Sequence, residues 1–365
     1  MPAPSKGFVR IDSTIFFEGM FVSTDLYCRF RSNYVLVIKS TLLTKKVLEK
    51  IKQLEATYGD LYVMDEFYDR LIGQSEQYNA ILKKLEFDTN YRSIKEKTTN
   101  LLGDISKSGS VNREATNILS KVITEKLFTI DTAVIIQVLN SVRSTDEYLF
   151  THCSNVSILN GLIGKWLGLD QNEINTLVAA GLMHDIGKLK IPAEILNKPA
   201  RLTKSEFEII KTHPVHSFNM LVQSGEVNRE ILSAARNHHE KTNGSGYPDG
   251  LKGVEISRSA RITAISDIYD AMISRRSYKE ARSPFEILEQ FSKGSFTNLD
   301  LDIVAAFLEN MPNELLGKSV LLSNGMVGKV EFIDPSNFCY PIVTVGNDVI
   351  TTNGRLKCVC MCADQ

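Results

Sequence analysis

The sequence has almost no excess of charge of either sign. Its 42 lysine and arginine residues face 43 aspartate and glutamate residues, which leaves a formal net charge of −1. A broad basic field of the kind that attracts nucleic acid is therefore excluded. Any anionic ligand must be bound by a local site instead, and we expect no nucleic-acid partner.

Long apolar runs are also missing. No uninterrupted apolar stretch approaches the ~18 residues that a membrane-spanning helix requires, and residues 1–10 lack the apolar core of a signal peptide. We therefore expect a cytoplasmic protein with no membrane partner. Hydrophobic residues still make up 43% of the 365 positions, so the chain is long and apolar enough for two or three domains with buried cores.

Cysteines are few, and their spacing does not favour a metal site. Three of the six alternate near the C-terminus, at Cys358, Cys360 and Cys362. Zinc sites typically use cysteine pairs separated by two to four residues, together with further ligands, and no histidine lies nearby. We interpret the alternating cysteines as side chains on one face of a terminal strand, and we expect free thiols in a reducing compartment.

The pattern of the sequence changes twice along the chain. Residues 1–125 are mixed, with predicted strands over 34–38 and 61–64, a predicted helix over 44–55 and a charged, helix-favouring connector after them. Residues 126–308 have the periodicity of helices, and residues 309–365 that of short strands separated by turns. The predicted fold class is therefore multi-domain and mainly α: a helical core with a mixed α/β N-terminal domain and a small β module at the C-terminus.

The helical region carries specific start and stop signals. Residues 146–167 are predicted to form a helix, because apolar side chains recur at helical spacing and share one face. Asp170 and Thr203 each begin a capping box, which predicts a helix after each of them. The helix after Thr203 is expected to end near His213, because Pro214 disfavours helical backbone at the residue before it.

The histidines are confined to this region. All six lie between positions 152 and 239, and two adjacent pairs stand out, His184–Asp185 and His238–His239. Neighbouring residues on a helix are rotated by ~100°, so such a pair can serve two metal ions. Imidazole and carboxylate suit iron, manganese or zinc better than calcium or magnesium, and ligands from several helices can build a dinuclear site.

Each histidine also has an ordinary structural interpretation. A lone histidine on an apolar helix face, such as His152, is usually a packed core residue. His213 lies where it could interact with a helix dipole, and the His238–His239 pair is compatible with a solvated helix end. For these interpretations to explain the pattern, all of them would have to hold at once within one segment, which is much less plausible than any one alone. A shared metal site is therefore the favoured hypothesis.

The motifs resemble those of the HD-GYP family. The chain reads HDIGK from His184, HHEKTNGSGYP from His238 and DIYDAMISRRSY from Asp267. The resemblance covers about half of the chain, residues 146–278. It implies a helical HD core and a metal-dependent phosphodiesterase that hydrolyses cyclic di-GMP to linear pGpG, with a second step to GMP left open.

The resemblance also implies a role for individual residues. Lys188 would lie over the scissile phosphate and Asp185 would bridge two divalent ions, iron or manganese. The implied metal ligands are His152, His184, Asp185, His213, His238, His239 and Asp267. The implied contacts to the cyclic dinucleotide come from Tyr247, Arg276 and Lys279, and the turn at Gly246 lets the backbone approach a ligand closely.

This set of residues suits the chemistry. Two ions ~3.5–4 Å apart can polarise a phosphate and lower the pKa of a shared water. The resulting bridging hydroxide can attack phosphorus in line, while Lys188 and Arg276 stabilise the charge on the phosphate oxygens.

Three positions depart from the family pattern. Asn243 replaces the usual aspartate before Gly-Ser-Gly, although asparagine makes similar turn bonds. Tyr148 lies one turn before His152, where members with a third metal have glutamate, so we predict two metals rather than three. His216 stands where the family often has glycine, and we do not expect it to be a ligand.

Two alternatives to cyclic di-GMP hydrolysis stay open. The substrate could be a cyclic GMP–AMP dinucleotide, or the chain could bind a cyclic dinucleotide as a sensor without cutting it. The complete ligand set favours an enzyme.

Residues 1–125 resemble the mixed domain that precedes some HD-GYP cores. We expect them to regulate the enzyme, to form a homodimer or to contact a signalling partner. The plainer alternative is a scaffold that only packs on the core.

Overall fold

The computed structural model describes residues 7–22, 24–30, 33–130, 132–141, 148–274, 282–296 and 298–361. Thirteen α-helices and eleven strands lie in these ranges. They fall into two compact units, Met1–Glu86 and Phe87–Gln365. None of the helices in the described ranges has the length and apolar character needed to cross a membrane.

The N-terminal unit consists of a small sheet, one helix between its strands and the first part of the long helix that begins at Asp65. Its elements are β1 (Phe8–Ile11), β2 (Phe21–Val22), β3 (Leu26–Phe30), β4 (Asn33–Ile38), β5 (Thr41–Leu42), α1 (Lys45–Tyr58) and β6 (Leu61–Met64). The antiparallel sheet has the order β1-β6-β3-β4, and β2 pairs with β5. The predicted strands at 34–38 and 61–64 and the predicted helix at 44–55 are confirmed. The Thr44 hydroxyl caps α1 by accepting from the Val47 amide.

The predicted connector is helical apart from a short link at residues 109–112. It consists of α2 (Asp65–Ser108), which begins directly after β6, and α3 (Arg113–Thr129). Apolar side chains on both helices, among them Leu102 and Ile123, join the core of the second unit.

The middle of the chain is an assembly of helices: α4 (Thr132–Ser141), α5 (Tyr148–Trp166), α6 (Gln171–Met183), α7 (Ala193–Leu196), α8 (Lys204–Ile210), α9 (His213–Gln223), α10 (Arg229–Asn237), α11 (Arg258–Ile273), α12 (Pro284–Ser292) and α13 (Leu301–Leu315). Both predicted capping boxes are present, at Asp170 and Thr203. The predicted helix end near His213 is wrong, because α8 already ends at Ile210. Pro214 lies in the first turn of α9, where its missing N–H needs no partner.

The C-terminal residues form a five-stranded antiparallel sheet, as the change of period predicts. Its strands are β7 (Ser319–Leu322), β8 (Val327–Phe332), β9 (Ile342–Val345), β10 (Asp348–Thr351) and β11 (Cys358–Met361), in the order β10-β9-β8-β7-β11. Buried residues of this sheet, such as Val330 and Val343, belong to the same apolar core as the helices.

The cysteines on β11 are free, as expected, but the predicted alternation is interrupted. A register shift lies between Cys358, which is buried, and Cys360, which is half-buried. Cys362 lies outside the described residues. The fold is thus mainly helical with a small sheet near each end, and the three-part division at 125 and 308 stays a prediction.

Candidate metal centre

Five segments of the second unit place polar side chains at one buried point. These candidate ligands come from α5, from the end of α6 and the turn after it, from the start of α9, from the end of α10, and from α11. The side chains are His152, His184, Asp185, His213, His238, His239 and Asp267, the complete set predicted from the sequence. Five of them, His152, His184, Asp185, His213 and His238, are at most 1% exposed.

One cluster consists of His152, His184 and Asp185, whose candidate ligand atoms lie within 4.8 Å of one another. The two Nε2 atoms of His152 and His184 are 3.3 Å apart. Each of them also lies 3.3 Å from Asp185 Oδ2. Three ligand atoms thus face one point on the first side of the centre.

A second cluster consists of His213, His238 and His239, again with ligand atoms within 4.8 Å of one another. His213 Nε2 lies 3.4 Å from His238 Nε2. The other oxygen of Asp185, Oδ1, lies 3.1 Å from His213 Nε2 and 3.7 Å from His238 Nε2. Asp185 therefore turns one oxygen toward each cluster, which is the arrangement that a bridging ligand requires.

Asp267 connects the clusters a second time. Its Oδ1 lies 3.2 Å from His152 Nε2, and its Oδ2 lies 4.0 Å from His239 Nδ1. The centre is therefore built around two carboxylates, each of which contacts imidazoles of both clusters.

The other ring nitrogen of four histidines is bound outside the centre. Nδ1 of His184 lies 2.8 Å from the Gly181 carbonyl, and the corresponding partners are Ile210 O at 2.6 Å for His213, Ala234 O at 2.9 Å for His238 and Asp270 Oδ2 at 2.7 Å for His152. Carbonyl and carboxylate oxygens only accept hydrogen bonds, so each Nδ1 carries the proton. The lone pair of each Nε2 is then directed into the centre, as in histidines that ligate metals.

The charge states of the buried groups agree with this assignment. Burial, together with neighbouring His239 and His184, lowers the pKa of His238 well below its usual value, so the ring is neutral near pH 7. Burial likewise lowers the pKa of His239 to about 3. Burial opposes the ionisation of Asp185, but Lys188 and His184 outweigh it and hold the pKa of that carboxyl well below its usual value.

These observations test whether the residues fit a metal. A ring whose only proton is on Nδ1 has an accepting Nε2, and here Nε2 atoms face carboxylate oxygens, which also only accept, at 3.1–3.3 Å. Asp185 Oδ1 is buried and accepts no hydrogen bond from the described residues. A set of lone pairs directed at one another in the interior is costly without a cation between them. The donor set of imidazole and carboxylate therefore fits divalent transition metals.

Lys188 and Gly187 complete the turn that follows Asp185. The Lys188 ammonium forms an ion pair with Asp185 and its side chain is 17% exposed, so it borders the centre on the open side. The Gly187 amide donates to Ser217 Oγ at 2.8 Å. A Cβ at this position would lie 2.0 Å from the His213 carbonyl oxygen, so only glycine fits between the turn and α9.

The loop after His239 brings Tyr247 to the centre. The Tyr247 ring stacks on His239 with centroids 4.8 Å apart, and the Lys211 ammonium lies 5.4 Å from the centre of the Tyr247 ring. The turn bonds expected of Asn243 are confirmed, since its Oδ1 accepts from both the amide and the hydroxyl of Ser245. The close approach at Gly246 is to the chain's own backbone, because a Cβ there would lie 2.4 Å from Glu240 Cα.

Glu240 anchors this loop from within. Its side chain is buried, and Oε1 accepts from the amides of Asp249 at 2.6 Å and Gly250 at 3.0 Å. Asp249 in turn forms a bidentate ion pair with Arg236 at 2.7 Å. Glu240 has no role predicted from the sequence, because its spacing from its partners is not that of a recognised turn motif.

Glu240→Ala should therefore loosen the loop that holds Tyr247. Two amides lose their acceptor, which we expect to lower the free energy of unfolding by about 2–3 kcal/mol and to raise KM for a cyclic dinucleotide roughly tenfold. Urea unfolding and steady-state kinetics measure the two effects. Glu240→Gln keeps an accepting oxygen and serves as the control; equal KM values for the alanine variant and the unaltered protein would contradict this role.

Of the remaining predicted positions, some lie within the described residues and others do not. His216 is half-buried on α9 and belongs to neither cluster of the described residues; that it is not a ligand stays a prediction. Arg276 and Lys279, both predicted to contact substrate, lie outside the described residues, as does the side chain of Tyr148. The substrate contacts of Arg276 and Lys279, and the expected lack of a third metal ligand at Tyr148, therefore stay predictions.

Comparison with known families decides the class of this centre. Residues 137–303, which include all seven candidate ligands, match the family described as HD domain. The resemblance drawn from the motifs is thereby confirmed, and HD domains are metal-dependent phosphohydrolases, in agreement with the two His/Asp clusters.

Several curated proteins are similar to the chain. The cyclic di-GMP phosphodiesterase PA4108 of Pseudomonas aeruginosa is 34% identical over 188 residues, which are 52% of this chain and 45% of that protein. A cyclic di-GMP phosphodiesterase of Thermotoga maritima is 36% identical over 190 residues, 51% of this chain and 52% of that protein. The 3'3'-cGAMP-specific phosphodiesterase 1 of Vibrio cholerae is 37% identical over 150 residues, which are 41% of this chain and 34% of that protein. The chain thus spans about half the length of the curated relatives it matches.

A solved structure shares the fold of this chain. Bd1817, described as a HDG"Y"P protein from Bdellovibrio bacteriovorus, superposes with a TM-score of 0.53 at 15% identity, over 84% of this chain and 100% of that one. At this identity the likeness concerns the fold alone.

Proposed function

We propose that this chain is a metal-dependent phosphodiesterase that hydrolyses cyclic di-GMP to linear pGpG, with GMP as the product of a second step. The observation that carries the proposal is Asp185, whose two oxygens face two separate groups of ligand atoms. A site for two ions next to a lysine suits the hydrolysis of a phosphate diester. The relatives named as cyclic di-GMP phosphodiesterases support the choice of substrate.

The metal ligands in this proposal are the seven residues of the centre, and the ions are iron or manganese. When bound, two such ions supply an activated water and a Lewis acid for the phosphate. The protein's part is to hold the donor atoms in place. Asp185 and Asp267 provide the negative charge that keeps two dications together.

The groups around the centre bind and orient the substrate. Lys188 places a cation beside Asp185 at the open side, where it can pair with a phosphate oxygen. Burial raises the pKa of the Tyr247 hydroxyl, which stays protonated and can donate a hydrogen bond. Gly246, Arg276 and Lys279 complete the proposed binding residues. Arginine and lysine suit the phosphates of a dinucleotide.

Turnover by the purified, metal-loaded protein tests the proposal. The protein should be loaded with Mn²⁺, or with Fe²⁺ under anaerobic conditions, and the products of cyclic di-GMP separated by chromatography. We expect pGpG to accumulate. Protein that contains both metals and leaves cyclic di-GMP uncut in both preparations would contradict the proposal.

Cyclic GMP–AMP is the second candidate substrate, because one relative at 37% identity is named as specific for 3'3'-cGAMP. Guanine and adenine differ in their edge contacts, so kcat/KM for the two dinucleotides, measured side by side, separates the candidates. A sensor that binds without cutting is disfavoured, because the full set of ligand atoms is present.

The number of ions is a separate prediction. Tyr148 stands where a third ligand would be needed, so we expect two metals per chain rather than three. Elemental analysis after reconstitution and desalting measures this number directly, with protein concentration taken from amino-acid analysis. Three tightly bound ions per chain would contradict the prediction.

The proposal also includes the rest of the chain. We propose that the protein acts in the cytoplasm, with no nucleic-acid or membrane partner. Residues 1–125 would form the regulatory or dimerising region, 126–308 the catalytic HD-GYP domain and 309–365 the β module.

A further inference from the structure

A line of buried hydrogen bonds leads from His152 away from the metal centre to α2. His152 Nδ1 donates to Asp270 Oδ2 at 2.7 Å, and Asn155 Nδ2 donates to Asp270 Oδ1 at 2.7 Å. The Tyr91 hydroxyl donates to Asn155 Oδ1 at 2.6 Å. We call these four residues the Tyr91 relay. Each of them is buried, with Tyr91 3% exposed and the other three 1%.

The direction of each bond follows from the chemistry of the groups. The Asp270 carboxylate only accepts, so Asn155 must turn its NH₂ group toward Asp270. The amide oxygen of Asn155 then faces Tyr91, whose hydroxyl must donate. Asp270 is left to accept from His152 Nδ1, which directs the Nε2 lone pair toward Asp185 and Asp267.

His152 differs in this respect from three other candidate ligands. Nδ1 of His184, His213 and His238 is bound by a backbone carbonyl three or four residues earlier in the chain. The partner of His152 is a side chain on another helix, α11, and that side chain is itself held by Asn155. The orientation of the His152 ring therefore depends on the packing of distant segments.

We propose that Tyr91 is a positioning residue of the metal centre, which fixes the ring orientation and tautomer of His152 through Asn155 and Asp270. The inference rests on the proposed function in one respect, since it takes His152 as a metal ligand. Without the Tyr91 hydroxyl, the Asn155 amide loses the contact that selects its orientation. Asp270 then loses a fixed donor, and the His152 ring gains freedom to turn.

The relay also gives α2 an influence on the centre. Tyr91 lies within α2, which begins at Asp65 directly after β6 and continues to Ser108. A 2.6 Å hydrogen bond is lost when its partners separate by about 1 Å. A small displacement of this part of α2 would therefore release Asn155 and lower the affinity for metal.

Metal titration of Tyr91→Phe tests the proposal without measuring turnover. Loss of an outer partner of a metal ligand typically weakens metal binding by about 10–100-fold, and we expect about tenfold for Mn²⁺ measured by calorimetry. With Co²⁺, the visible absorption bands should shift, because the geometry at His152 changes. The far-UV circular dichroism should be that of the unaltered protein.

Tyr269→Phe is the matched control. The Tyr269 hydroxyl is also fully buried and donates to Asn140 Oδ1 at 2.9 Å, but it is not part of the relay. The control should lose a comparable amount of stability while its Mn²⁺ affinity stays within about a factor of two and its Co²⁺ spectrum is unchanged. Equal weakening in both variants would show a general effect of packing and would overturn the proposal.

A double-mutant cycle tests the route through Asn155. If Tyr91 acts through that amide, Tyr91→Phe combined with Asn155→Ala should bind Mn²⁺ no more weakly than Asn155→Ala alone. Additive losses, or an unchanged affinity in Tyr91→Phe, would overturn the relay. Failure of the unaltered protein to bind any Mn²⁺ or Co²⁺ would instead refute the proposed metal centre, so the two failures are distinguishable.

Discussion

Asp185→Asn should remove at least one metal ion and nearly all turnover. The asparagine has the same shape as aspartate, but it lacks the negative charge and replaces one ligand oxygen with an NH₂ group. Because Asp185 faces both clusters, neither ion keeps its full set of ligands. Activation by a metal pair accounts for several kcal/mol of the barrier, so kcat for cyclic di-GMP should fall roughly a thousandfold or more.

Metal content, turnover and ligand binding should be measured on the same preparation. Asp170→Asn is the matched control, because it removes one charge from an aspartate that caps α6, a role that asparagine fills equally well. The control should keep two metals and full activity. An Asp185→Asn protein that retains two ions and turns over within a factor of about ten would contradict the bridging role. A metal-independent sensor would keep its affinity for the dinucleotide in both variants.

Gly187→Ala should be among the most destabilising single changes in the chain. The added methyl group would lie 2.0 Å from the His213 carbonyl oxygen and 2.5 Å from the Ser217 amide nitrogen. Both are backbone atoms of α9, so they can move away only if the first turn of that helix moves, and His213 with it. We expect the free energy of unfolding to fall by about 3 kcal/mol, at the upper end for overpacking, and metal binding to weaken in parallel.

Gly103→Ala provides the comparison. Gly103 lies inside α2, and apart from its chain neighbours and the adjacent backbone of its own helix no atom of the described residues lies within 4 Å of a Cβ built there. Alanine in a helix interior is favoured over glycine by about 0.5–1 kcal/mol, so this variant should be slightly more stable than the unaltered protein. Urea denaturation curves give both values. A Gly187→Ala protein as stable as Gly103→Ala would show that the turn can relax, which would contradict the tight packing described above.

The clustering of these histidines and aspartates was predictable because their signal is local and chemical. Histidine beside aspartate, or beside another histidine, is identifiable in the sequence whatever the fold. Capping boxes at Asp170 and Thr203 were predictable for the same reason, since each involves residues three positions apart. The break between α8 and α9 was not, because Pro214 is compatible both with the end of one helix and with the first turn of the next.

Contacts between distant segments could not be predicted from the sequence. Asp270 was visible only as part of a motif, and neither Asn155 nor Tyr91 carried a signal, because their relation arises when α2, α5 and α11 pack together. Glu240 was missed for a similar reason. The strands β1, β2, β3, β5 and β10 also escaped prediction. β2 and β5 have only two residues each, and β1, β3 and β10 each contain a charged residue, which leaves very short apolar runs.

The carbonyl contacts of His184, His213 and His238 have a consequence for the metal-free protein. Each of these rings is oriented by a backbone carbonyl three or four residues earlier in the chain, so most of the ligand geometry exists as soon as the helices form. Removing the metals with a chelator should therefore leave a cooperatively folded protein, unlike small zinc domains, in which metal binding and folding are one event. Uptake of the ions would then require little reorganisation of the chain.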